Sequence, residues 1–142
     1  PTQPDLVAKK VKEVPAWLYA TPAYLAELGN PQVPADLARA DFIAFDRTDA
    51  TLRALNGLGL SLTRRNFPMM SENHLVIWEL VKQGVAVGIM SEDIGDAERA
   101  VVRALPDLAP INVPLWLTAH RDVHTSRRVR MVYNLLASEL AA

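Results

Sequence analysis

"MMSENHLVIWELVKQGVAVGIMSED", residues 69–93, joins a helix-type apolar run to a Val/Ile-rich strand-type run through Gly84, and its reading decides the fold class. Leu75, Ile77, Trp78, Leu80 and Val81 cover more than one side of a helix, so this helix is expected to be largely buried. "VAVGIM" follows without polar alternation, which suits a strand in a sheet covered on both faces. Ahead of the helix stands a polar quartet, Ser71, Glu72, Asn73 and His74. One reading is capping, with Ser71 accepting from the amides of the first turn and Gly84 closing the far end in the left-handed conformation. The other is a ligand, because helix N-termini gather unpaired N–H donors and positive potential.

Outward from this stretch the chain keeps alternating. Leu6, Val7, Val11 and Val14 interleave with Lys9, Lys10, Lys12 and Glu13, and "PAWLYA" extends the pattern, so a strand is expected. "TPAYLAELG" carries Thr21 before Pro22 at a first helical position and Gly29 at the C′ site, the marks of a short helix. "PADLARA" repeats the device with Pro34, and "DFIAF" reads as a buried strand. "DATLRALNG" reads as a short helix ending near Gly57, and "LSLTRRNF" as a strand with Leu60, Leu62 and Phe67 near one face. "RAVVRAL" suits a short strand or a helical turn, and "VPLWLTAH" a strand. In "TSRRVRMVYNLLASEL", Val129, Val132, Tyr133, Leu136 and Leu140 have the spacing of an amphipathic helix. Strands and helices in alternation imply an α/β fold with a mainly parallel sheet.

Composition narrows the function. The 142 residues suffice for about one domain with a real core. Fifteen basic and 16 acidic residues give a net charge of −1 without a basic block, which argues against a nucleic-acid surface within the chain. The absence of cysteine removes disulfide scaffolds, thiolate zinc sites and cysteine nucleophiles. No apolar run approaches a membrane span, and a soluble protein is expected. The chain opens without Met and runs almost at once into an apolar-alternating stretch, which reads as a processed or truncated piece of something longer.

Catalytic signatures fail. "NGLGLSL" has Gly57 and Gly59 but neither the third glycine nor the lysine of a phosphate loop. G-x-S-x-G and H-E-x-x-H are absent. His120 and His124, with Asp122 between them, precede a helix start signal at Thr125 and are expected in a loop, with no metal. Glu92, Asp93 and Asp96 read as a solvated acidic loop. Arg127, Arg128 and Arg130 crowd the first turn of the last helix, where the macrodipole disfavours cations, so either an acidic partner or solvent faces them.

Three stretches in order carry a resemblance. "WLYATPAYLAELGNPQVPADLARADFIAF" holds an A-[ST]-P-x-Y-L element and a P-x-D-L turn, "SENHLVIWELVKQGVAVGIM" an apolar helix before a glycine-containing strand, and "LPDLAPINVPLWLTAHRDVHTSRRVRMVYNLLASEL" a W-L strand leading to an R-V-R helix. This ordered set, covering nearly the whole chain, resembles the effector-binding domain of LysR-type transcriptional regulators. It departs from the usual pattern where Met90 is followed by Ser91 and Glu92 rather than Leu-Pro, and where a motif glycine falls at Gly88.

The resemblance implies an α/β, periplasmic-binding-protein-like type 2 fold, mostly its second subdomain (about 21–110), with crossing strands and the return to the first subdomain at 1–20 and 111–142. The DNA-binding domain and the first part of the effector domain have no counterpart, so DNA would be bound only through that absent N-terminal part. A small-molecule effector would sit in the cleft between subdomains, contacted by Ser71, Glu72, Asn73 and His74, by Phe45 and Asp46 at a strand's carboxyl end, and by Thr21. A carboxylate would suit these donors. No cofactor, metal or catalytic set is implied, nor any membrane. The implied protein is cytoplasmic, a homodimer or homotetramer, and not an enzyme. A transporter's solute-binding protein, which shares the architecture, is the alternative.

Overall fold

A computed structural model describes residues 4–45 and 49–141. The chain divides into two compact units, one of residues up to Pro15 and from Asn112 onward, the other Ala16–Ile111.

The larger unit is built around the end of β1 (Leu6–Ala20). Its last residues alternate little and are buried, and they pair antiparallel with β4 (Gly88–Ser91), Trp17 opposite Met90, and with β5 (Val102–Arg103), Tyr19 opposite Arg103. A second, parallel pair joins β2 (Ile43–Ala44) to β3 (Met69–Met70), and Phe42 bridges Val87 in parallel. The mainly parallel sheet expected from the alternation is therefore corrected to a mixed arrangement, because β1 runs against both of its neighbours in this unit.

The helices of this unit are α1 (Pro22–Glu27), α2 (Ala50–Gly57), α3 (His74–Lys82) and the single turn α4 (Glu92–Gly95), with 3-10 turns at Pro34–Arg39 and Arg64–Asn66. One core gathers Leu18, Leu37, Phe42, Leu55, Leu60 and Val87, and a second gathers Tyr19, Ile77, Trp78 and Val81 under α3. Gly84 has φ +74°, and its N–H and that of Val85 close α3 on the carbonyls of Val81 and Leu80, the left-handed ending expected there.

"LSLTRRNF" is not a strand. The Asn56 carboxamide donates to the Leu62 carbonyl at 2.9 Å and accepts its N–H at 2.8 Å, doing for that residue what a neighbouring strand would do. Leu60 and Leu62 are still buried, which is what their alternation reported. The segment then turns at Arg64–Asn66, where the buried Asn66 side chain donates to the carbonyls of Ala38 and Ala40.

In the smaller unit β6 (Ile111–His120) pairs β1, a one-turn helix α5 (Arg121–His124) follows, and α6 (Arg127–Glu139) ends the fold. Tyr133 and Ala137 are the buried residues of α6, and the Tyr133 hydroxyl donates to the Leu117 carbonyl at 3.0 Å. Val132, Leu136 and Leu140 of the expected apolar stripe are exposed, together with Met131 and Leu135.

Candidate functional site

β2 and β3 end side by side, and the Ser71 N–H extends their ladder to the Ala44 carbonyl at 3.0 Å. Beyond that bond the chain turns. The Ser71 hydroxyl accepts from the Asn73 N–H at 3.2 Å, and Asn73 becomes the cap of α3, its Oδ1 accepting from Leu75 N at 2.9 Å and Val76 N at 3.4 Å. The expectation that Ser71 caps the helix is thus corrected. The helix begins only at His74, and the Ser71 amide and hydroxyl are already engaged in the ladder and the turn. Glu72 is exposed just ahead of the helix, a favourable place for negative charge.

His74 and Phe45 come together. Their rings stack with centroids 4.3 Å apart and planes 11° from parallel, Phe45 just past the carboxyl end of β2 and His74 at the first residue of α3. Phe45 keeps 38% of its surface exposed. Ser71, Glu72, Asn73, His74 and Phe45 therefore form one cluster in the larger unit, whereas Asp46 lies outside the described residues.

Thr21 does not join them. It caps α1, accepting from Tyr24 N at 3.2 Å, and its Oγ1 lies 2.9 Å from where a Cβ on Gly84 would be, beside the C-terminal end of α3. At 1.5 Å per residue the nine residues of α3 span roughly 13 Å, so Thr21 stands a helix length from His74.

The cap makes a local prediction. Asn73→Ala should cost about 1 kcal/mol of helix-end stability, read as faster amide exchange at Leu75 and Val76. Unchanged exchange at both amides would refute the assignment of Asn73 as the cap.

A second cluster was not legible beforehand. Arg103 donates through Nη2 to Glu92 at 2.8 Å and through Nε to Asp96 at 2.9 Å, pairs again with Asp96 through Nη2, and lies 4.0 Å above the Trp17 ring. Tyr19 donates to Asp96 at 2.8 Å. The Arg103 and Tyr19 hydrogen bonds hold the Asp96 carboxyl below the usual carboxylate range, and burial together with Asp96 pushes the Tyr19 phenol up to about 12. The acidic residues expected in a solvated loop are thus partly recruited: Glu92 opens α4 and, with Asp96, clamps Arg103. No spacing rule pairs residues across a sheet, so only the acid-rich loop itself was a signal. Arg103 is shared between the two carboxylates and Tyr19 holds one of them, so the cluster fixes structure.

The two histidines of "HRDVH" are not in a loop but flank and end α5, and they meet different partners. His120 Nδ1 is 3.7 Å from Asp122, while the His124 ring stands edge-on to Tyr133 at 4.9 Å. Among the described residues no group of three or more His, Asp or Glu is placed to hold a metal. Arg127, Arg128 and Arg130 are exposed, and among the described residues no acidic side chain pairs with them. No helix among the described residues is long and apolar enough to cross a membrane.

Comparison with known proteins gives this arrangement its class. A family model described as the LysR substrate binding domain matches residues 1–141, and the chain belongs to that family. It is similar, at 25% identity over 147 aligned residues, to a probable HTH-type transcriptional regulator LtrA of Klebsiella pneumoniae, covering 98% of this chain and 48% of that protein. The chain thus spans about half the length of this curated relative.

Among solved structures, the regulatory domain of CrgA, a LysR-type regulator from Neisseria meningitidis, superposes with a TM-score of 0.73 at 20% identity, over 99% of this chain and 71% of that one. The AmpR effector-binding domain from Citrobacter freundii gives 0.75 at 16% identity, over 98% and 70%. The fold is that of these effector-binding domains, periplasmic-binding-protein-like and α/β.

Proposed function

We propose that this chain is the effector-sensing part of a LysR-type transcription regulator, binding a small-molecule inducer and relaying its presence to a DNA-binding domain carried elsewhere in the protein. The observation that carries this reading is the family match over residues 1–141. The cluster of Ser71, Asn73, His74 and Phe45 at the carboxyl ends of a parallel strand pair supports it, since open α/β sheets place ligands there. Binding would act by stabilising one arrangement of the protein over another, with no covalent step. The family match also favours a regulator over a transporter's solute-binding protein.

In this reading residues 21–110 form the second subdomain, while 1–20 and 111–142 supply the crossing strands and the return to the first. The exposed apolar face of α6, where Met131 is 68% exposed, then packs on further residues of the first subdomain. The complete regulator works in the cytoplasm as a homodimer or homotetramer and touches DNA only through its N-terminal domain.

A carboxylate on the effector would meet the Ser71 hydroxyl and the His74 side chain first, because Asn73 already occupies the Leu75 and Val76 amides. Ser71→Ala and Asn73→Ala in the full-length protein test the site through a reporter gene under the regulator's control. Loss of the inducer response, with DNA occupancy kept, is expected. An unchanged response rejects both residues as effector contacts.

A further inference from the structure

The first-turn amides of α3 are poor candidates for gripping an anion by themselves, since the Asn73 carboxamide takes two of them and the Ser71 hydroxyl takes the Asn73 N–H. What the cluster presents instead is a pair of flat rings. Phe45 and His74 lie 4.3 Å apart and nearly parallel, so each shields one face of the other, and both side chains are still exposed, Phe45 by 38%. Two exposed apolar side chains adjoin them in register and in sequence: Met70, register partner of Ala44 in the strand pair, is 45% exposed, and Leu75, next to His74, is 76% exposed. Exposed aromatic and apolar side chains beside two hydrogen-bonding groups, those of Ser71 and His74, have the composition of a ligand-binding site.

We infer that the outer face of the Phe45–His74 pair receives a planar ring of the effector, so that the effector class is an aromatic or heteroaromatic compound rather than an aliphatic acid. The inference rests on the effector-sensing reading above and deepens it. Offset stacking on a ring pair rewards planarity, which a saturated ring of the same size and charge cannot supply. Polar substituents on the effector ring would then fall toward Ser71 and His74.

The full-length protein is titrated with benzoate and with cyclohexanecarboxylate, which share a charge and a size but differ in planarity, and dissociation constants are taken from ligand-observed saturation-transfer NMR. Benzoate is expected to bind about tenfold more tightly than its saturated counterpart. Phe45→Leu should erase that preference, and Phe45→Tyr, which keeps the ring, should retain it. Near-UV circular dichroism verifies that each variant is folded, and Phe45 is exposed enough for the leucine to be tolerated.

Equal affinities in the wild type, or a preference that survives in Phe45→Leu, overturn the inference. Failure of both probes to bind overturns it as well. None of these outcomes touches the regulator reading, which fails separately if the full-length protein does not occupy DNA or its reporter answers no inducer.

Discussion

Phe42→Ala is expected to destabilise the larger unit by about 4 kcal/mol, near the middle of the range for emptying a buried aromatic site. Phe42 is 2% exposed, and its ring lies 5.7 Å from that of Phe67. Its backbone is held on both sides, by the N–H donating to the Asn66 carbonyl and by the parallel bridge to Val87. The neighbours therefore cannot collapse freely into the space, and incomplete collapse is what raises the cost of a cavity. Urea unfolding followed by tryptophan fluorescence checks this, with a lower midpoint at an unchanged slope expected. A loss below about 1.5 kcal/mol would mean that this part of the core relaxes easily. Because Phe42 leads directly into β2, the same variant should also loosen the Phe45–His74 stack.

Gly95→Ala should cost about 3 kcal/mol, from overpacking plus a lost hydrogen bond. Gly95 ends α4 against the ring of Tyr19, and a Cβ there would lie 2.2 Å from Cζ and 2.3 Å from Cε2. Tyr19 is 1% exposed, stands edge-on to Trp78 at 6.0 Å, and donates to Asp96, so it has nowhere to retreat. Moving the ring would strain the contact with Trp78 and break the bond to the carboxylate that clamps Arg103. A double-mutant cycle with Tyr19→Leu isolates the cause. If the clash is with the ring, the second substitution relieves part of the first, and the two costs fall short of additivity. Strict additivity would refute the steric explanation.

Arg103 and its partners show why so much of this region was illegible. "SEDIGDAE" reads as a run of surface acids, and nothing in its spacing announces that Glu92 and Asp96 close on an arginine in the next strand. Strand direction was hidden for a related reason. Alternating helices and strands suggest parallel neighbours, but β1 enters the larger unit from the other one and meets β4 and β5 head to tail. "LSLTRRNF" misled in a different way, since a side chain, Asn56, supplied the hydrogen bonds that a strand partner would have made.

The candidate site divides along the same line. That α3 exists, that a polar turn precedes it and that Gly84 ends it could be read from "SENHLVIWELVKQG", because capping and helical periodicity act between residues a few positions apart. Tertiary structure alone decided that Asn73 rather than Ser71 is the cap, since the parallel pairing of β2 and β3 draws the Ser71 amide into the sheet. It alone set Phe45 on His74 and put Thr21 at the opposite end of the helix. Contacts of this kind depend on which strands lie side by side, and that is determined by the burial of many side chains together rather than by any local run of residues.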